Sequence, residues 1–450
     1  MAKLWEKDWK LNEEVESFET KDDLEMDQKL AKFDIYGSIA QTKMLNKIGL
    51  LTKDETDKAI KGFSEILLLI EKDKFKLSSG DEDVHTKIEN FITEKYGEVG
   101  KKIHTGRSRS DQVLTDIRLY TKSRIIDIWK ELLKLSRSFY IFSEKYEFVP
   151  MPGYTHMQKA MLSSVGMWSS AFLEAFLEDV YSIKVAFEIN DKSPLGSAAS
   201  YGVPLYLDRE YMAGILGFAR IQKNSLNTHN SRIKIESGVI SGLIPILMDI
   251  NRFASDIMLF TTSEYGYFNI DKSLCSGSSI MPQKKNVDAA ELLRSKIHLL
   301  IGYYIQSVSI PNNLSSGYSR DFQDGKKPLF MSLDLTLECI RITNIIINGI
   351  EPNIHNLNKA ITPELFATYN AIKMTSKGES FRDAYRIIGN SKKYNKPQNI
   401  KSVLNASTHL GGTGNLDIKS YFKNIVNEEK LLKIKSQKFE DAIEKLIYSR

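Results

Sequence analysis

Residues 113–148 read VLTDIRLYTKSRIIDIWKELLKLSRSFYIFSEKYEF. Apolar side chains recur there at Leu114, Ile117, Ile125, Ile128, Leu132, Leu135, Phe139 and Phe142. The steps are three, four or their sums, the spacing that lines one face of a helix with 3.6 residues per turn. The same rhythm runs through 161–183 at Met161, Val165, Trp168, Phe172, Phe176 and Val180. It returns in 292–308 at Leu293, Ile297, Leu300, Ile301, Tyr304, Ile305 and Val308. At 1.5 Å per residue each stretch predicts a rod roughly 25–55 Å long. Proline placement agrees, since all 11 prolines lie at or after Pro150. Proline lacks the N–H a helix interior needs, so long stretches without it favour long helices. Strand signals are few, with 203–207 the candidate for local pairing. The expected fold is all-α, with helical domains at 1–110, 111–360 and 361–450, the middle one a bundle of long helices.

Bulk composition narrows the function classes. The chain of 450 residues has 42% hydrophobic and 26% charged residues, enough for a large core. Its net charge of +5 is small for this length and the signs are interspersed, which does not call for nucleic acid. Residues 1–10 are charged and lack the apolar centre of a signal peptide. No apolar run approaches the ~18 residues of a membrane span. A cytoplasmic protein that binds neither membrane nor nucleic acid is expected. The two cysteines, Cys275 and Cys339, have no metal-ligand spacing and read as reduced thiols. Gly411 to Gly414 lacks the Lys-Ser/Thr of a phosphate loop and reads as a plain turn.

Three polar segments punctuate the rods, each read as leading into a long helix, where free N–H groups favour anions. The first, His104-Thr-Gly-Arg107-Ser108-Arg109-Ser110-Asp111-Gln112, offers two guanidinium forks and three hydroxyls, a cradle for carboxylate. The second, Gly153-Tyr154-Thr155-His156-Met157-Gln158, carries a histidine read as lying just inside a helix and able to move protons near neutral pH. The third, residues 276–286 (SGSSIMPQKKN), joins a Gly-Ser loop to Lys284 and Asn286, a cation and an amide donor for a growing negative charge. Taken singly, each also reads as ordinary surface: a capped loop, a structural histidine, an exposed lysine-tipped loop.

Taken together, in this order and with these separations, the segments resemble the three signatures of the fumarase/aspartase superfamily. Within it, HTGRSR-x-DQ and GSS-x-MPQKKN are similar to the argininosuccinate lyase family. Further matches are Asp27 followed by Asp34-Ile-Tyr-Gly-Ser38, Glu82-Asp83-Val-His85, Pro194-Leu-Gly-Ser197, Gly317-Tyr318-Ser-Arg-Asp-Phe-Gln323 and the stretch from Ser380. The resemblance implies a homotetramer whose central domains share one multi-helix core, with each active site drawn from three chains. Geometry is consistent with this, because segments at the ends of different rods do not readily converge inside one bundle. The implied reaction splits argininosuccinate into arginine and fumarate without metal or organic cofactor. Ser278 would be the base, Lys284 would compensate charge and Asn286 would orient a carboxylate. His156 would be the acid or relay, oriented by Glu291. Ser108, Arg109, Ser110 and Thr155 would hold the fumarate half, and Asp27, Tyr318, Gln323 and Lys326 the arginine half.

Some positions depart from the family pattern. Ser110 stands for the usual Asn, Asp23 for a serine near the substrate, Val287 for a proline, and Gly325 for an acid. Residues 227–233 lack the usual acids but keep Arg232. The alternatives are a related lyase acting on another N-substituted aspartate, such as adenylosuccinate, and a non-catalytic crystallin-like protein. The first signature and the Tyr318/Gln323/Lys326 set argue against the former. Retention of Ser278, Lys284, Asn286 and His156 argues against the latter.

Overall fold

The structure, a computed structural model, describes residues 12–78, 81–391, 394 and 396–448. It begins with α1 (Glu13–Lys47), whose first N–H groups are accepted by the Asn12 side chain and whose first turn carries Glu13, Glu14 and Glu16. Both features offset the positive helix start. A reciprocal Thr52/Glu55 box opens α2 (Lys53–Glu71), and Asp83 caps α3 (Val84–Tyr96), followed by α4 (Val99–Lys102). Helices α1, α2 and α3 pack together, burying Phe63, Ile66, Ile88 and Ile92.

Helix α5 (Arg109–Lys145) opens with a Ser108/Asp111 capping box. All eight apolar positions of its predicted stripe are buried. It packs against α6 (Val165–Asn190), which continues the bundle to α9 (Lys234–Phe260), with α7 (Arg209–Ile215) and α8 (Ser225–Asn230) in the connection. Helices α10 (Asp288–Ser309) and α11 (Lys326–Asn348) complete the rods, α10 lying on α9 and α11, and α11 also on α5. At the centre, Phe139 meets Phe172, Phe176 and Phe253 at centroid separations of 5.2–6.0 Å. Such tilted ring pairs add to the burial of apolar area.

The second polar segment departs from expectation. Residues 150–164 form a hairpin, β1 (Pro150–Thr155) with β2 (Gln158–Ser164), and the helix expected from Met161 starts at Val165. Met161 carries the helical spacing, but residues 162–164 pair with 150–152, and Ser164 accepts the Met167 N–H as the cap. His156 and Met157 form the two-residue turn, both at positive φ (53° and 62°), the geometry that matches strand twist. His156 therefore sits at a hairpin tip and not inside a helix.

Residues 203–207 form no strand; the other pairings are short. They are β3 (Lys192–Ser193) with β4 (Arg220–Ile221), β5 (Phe268–Ile270) with β8 (Ile350–Pro352), and β6 (Ser276–Gly277) with β7 (Lys285–Asn286). After α11 come α12 (Ile354–Ala360), α13 (Ala367–Thr375), α14 (Phe381–Ser391) and α15 (Ile400–Leu404). Ile361, Leu365, Phe366 and Val403 make a small separate core there. The run at Gly411 is a turn closed by a Gly412–Asn415 bridge. The last helix, α16 (Ile418–Tyr448), returns along α5, α1, α6 and α7. Among the described residues no helix is long and apolar enough to cross a membrane.

Helix α10 is apolar on more than one side. Leu293, Ile297 and Leu300 face the chain's own core, while Leu292, Leu299, Ile301 and Ile305 are 40–58% exposed.

Candidate active site

One pocket gathers six of the expected substrate-binding residues. Asp27 comes from α1, Arg109 and Ser110 from the start of α5, Tyr318 and Gln323 from the segment before α11, and Lys326 from the first position of α11. Lys326 is buried, with its ammonium 2.7 Å from Asp27 Oδ1 and also against Asp23 Oδ1. Burial alone would lower its pKa, but the two carboxylates hold it above the ordinary lysine value. Asp23 responds oppositely: burial lifts its carboxyl to about 6, Lys326 opposing and Asp27 adding to the rise.

Arg109 is not free in this arrangement. Its guanidinium pairs with Glu82 and lies 3.1 Å from Asp83, and it donates to Thr86 Oγ1 at 2.8 Å. Ser108 and Ser110 share a hydroxyl contact at 3.1 Å, and Ser110 Oγ donates to the Ala198 carbonyl at 3.3 Å. Gln323 donates to the Glu19 carbonyl at 2.8 Å. The Arg232 guanidinium lies over the Tyr318 and Phe322 rings at 5.4 and 5.3 Å.

Beneath the pocket lies a buried cluster that joins Asp34 and His85, both quoted in the sequence without a role, to Asp116. His85 Nδ1 is 3.3 Å from Asp34 Oδ1 and 3.9 Å from Asp116 Oδ2. Burial opposes the imidazolium, yet Asp34 and its neighbours raise the ring pKa to about 10. Asp116 is pushed well above the carboxylate range by burial and by Asp34. Potential ligand atoms of Asp34, His85 and Asp116 lie within 4.8 Å of one another. The His85 ring thus faces two carboxylates, an arrangement that favours the imidazolium form. Asp111, also buried, accepts the N–H groups of Ser108, Gly196 and Ala198 and so ties the 194–198 loop to the head of α5.

The remaining expected residues lie elsewhere on this chain. Thr155 and His156 are exposed at the hairpin tip, where Tyr154 is anchored by a hydroxyl contact to Tyr267. The β6–β7 ladder pins the ends of the third segment by pairing Ser276 with Asn286 and Gly277 with Lys285. Inside it, Ser278 Oγ accepts the N–H groups of Met281 at 3.0 Å and Ile280 at 3.3 Å. Two such donors stabilise an alkoxide. Lys284 and Glu291 are exposed and Asn286 half-buried. Among the described residues no hydrogen bond or ion pair joins Ser278, His156 or Glu291 to one another or to the pocket. One chain thus assembles the Asp27–Lys326 pocket and leaves the hairpin tip and the serine loop apart from it.

A bundle of long helices bearing these segments defines a lyase, and residues 15–302 match the family model described as Lyase. Argininosuccinate lyase of Thermotoga neapolitana is 43% identical over 386 residues, covering 86% of this chain and 97% of that one. The enzyme of the same name from Bacteroides thetaiotaomicron is 38% identical over 414 residues, 92% of each. Of solved structures, an EDDS lyase in complex with formate superposes with a TM-score of 0.82 at 19% identity, covering 98% of this chain and 95% of that one. A class II fumarase from Schistosoma mansoni gives 0.69 at 14% identity, over 90% and 91%. These two share the fold. The chain belongs to the argininosuccinate lyase family.

Proposed function

We propose that this carbon–nitrogen lyase splits argininosuccinate into arginine and fumarate, serving arginine biosynthesis in the cytoplasm. The observation that carries the chemistry is the pair of backbone N–H groups directed at Ser278 Oγ. A serine hydroxyl is a poor base until its oxyanion is stabilised, and these donors supply that. Ser278 takes the proton from the succinyl carbon beside a carboxylate. The electron pair moves into that carboxylate as a dianion, which Lys284 compensates and Asn286 orients. The dianion's pair then returns to form the carbon–carbon double bond of fumarate, and the bond from the adjacent carbon to the guanidino nitrogen breaks, its electrons leaving with the nitrogen. His156, oriented by Glu291, supplies or relays its proton.

Ser108, Arg109, Ser110 and Thr155 hold the fumarate half. Arg109 must then turn from Glu82 and Asp83 or share itself with them. Asp27, Tyr318, Gln323 and Lys326 hold the arginine half. Four chains associate through their central rods, so that the hairpin tip and serine loop of neighbours meet the pocket of a third. The exposed apolar residues of α10 and the bare His156, Lys284 and Glu291 support this reading; an apolar face left to water favours association.

The purified protein incubated with argininosuccinate is expected to release fumarate, followed by its ultraviolet absorbance. Adenylosuccinate is the control. Fumarate from adenylosuccinate and none from argininosuccinate would overturn the assignment.

A further inference from the structure

We propose that Asp23 is a specificity-determining residue that competes with the carboxylate of the substrate's arginine half for Lys326. The inference rests on the substrate assignment above and deepens it. Two carboxylates share the Lys326 ammonium, and they differ in depth. The Asp27 side chain is 2% exposed and that of Asp23 20%, while Lys326 itself is 3% exposed. Asp23 is therefore the outer partner, between the ammonium and the pocket mouth. A ligand carboxylate that reaches Lys326 from the pocket has to take the place of Asp23.

The other cations do not offer Asp23 an equal refuge. Arg109 is engaged by Glu82 and Asp83, and Arg320 lies 3.3 Å from Glu19. His85 of α3 is already held by Asp34. Arg232, stacked on Tyr318 and Phe322, is the remaining positive neighbour. Once displaced, Asp23 still shares the pocket with Asp27 and the incoming carboxylate, three negative groups against the charges of Lys326 and Arg232. Like charges at that spacing favour a protonated carboxyl. Binding then draws a proton onto Asp23, which in the free pocket titrates at about 6. Above that value the proton comes from solvent, so affinity for a carboxylate-bearing ligand falls as pH rises. A ligand with the guanidinium and chain but no carboxylate avoids the competition.

The test is calorimetric titration of the full-length protein with arginine and with agmatine, its decarboxylated counterpart. It is run at pH 6 and pH 8, in buffers of different ionisation enthalpy. Arginine is expected to bind about three- to tenfold more weakly at pH 8 with net proton uptake, and agmatine with neither effect. In Asp23→Asn both effects disappear and arginine binds more tightly than to wild type at pH 8. Asp23→Ser serves as a second variant, with thermal melts confirming that both are folded. Arginine binding without proton uptake, or weakened at pH 8 by Asp23→Asn, overturns the inference. Absence of arginine binding while wild type still releases fumarate from argininosuccinate overturns the inference and leaves the substrate assignment standing; absence of both overturns both.

Discussion

The Asp27–Lys326 pocket and the Ser278 loop are built on opposite principles. In the pocket most charges are already answered: Lys326 by Asp27 and Asp23, Arg109 by Glu82 and Asp83, and His85 beneath by Asp34. Burial compels this, because an unpaired charge out of water costs several kcal/mol. The loop holds Lys284 in solvent, where hydration serves as its partner, and spends its fixed donors on one oxygen. In the proposed mechanism this difference separates binding from chemistry. The pocket pairs its charges within one chain, whereas the loop's Ser278 meets only its own backbone donors, and in the proposed assembly a neighbouring chain supplies the rest.

The comparison is sharpened most by Ser278→Ala. Turnover is expected to fall by about 10³–10⁴-fold, the upper range for loss of a proton-transfer group. Thermal stability should change by less than about 1 kcal/mol, since the loop is largely solvated, and arginine should still bind. A loss under tenfold would remove Ser278 from the mechanism.

Lys326→Met reverses the pattern. It leaves Asp23 and Asp27 without their cation and should cost about 3–5 kcal/mol of stability, read from denaturant melts. A change under about 1 kcal/mol would show that the pocket's charges are solvated after all. The two variants also test where the regions meet. Mixed and reassembled, Ser278→Ala and Lys326→Met chains should regain turnover above either parent if pocket and loop of one site come from different chains. No gain would confine the site to one chain.

Much of this contrast was readable in the sequence, for a physical reason. The stripe of α5 reports burial directly, that of α10 only at Leu293, Ile297 and Leu300, and the three polar segments carry their chemistry in residue type. The hairpin at 150–164 was not readable. Met161 fits the period of the helix that follows, and only pairing across 150–152 decides for a strand. Nor could spacing reveal the role of Asp34, His85 and Asp116, which packing of α1, α3 and α5 brings together across many turns of chain. For Ser278 the need for N–H donors followed from its weak basicity. The particular donors, the loop's own Ile280 and Met281 N–H groups, depend on how residues 278–281 turn and had to await the structure.

A third acidic site gives the comparison its finest test. Asp179 of α6 is 3% exposed and, unlike Asp23, has no cation paired with it among the described residues. Burial first, then the charges of Asp249 and Glu178, lift its carboxyl to about 8. A carboxyl whose folded pKa lies above its unfolded value favours the fold in its neutral form. Its contribution is therefore lost as pH rises from about 4 toward 8. Asp179→Asn, neutral throughout, should raise the melting temperature at pH 8.5 by the equivalent of about 1–3 kcal/mol, the cost of a buried group left unsatisfied. At pH 5 the gain should shrink. The opposite result, a variant less stable at pH 8.5, would mean that assembly sets a cation against Asp179. The rods would then complete their charges across chains, as the pocket completes its own within one.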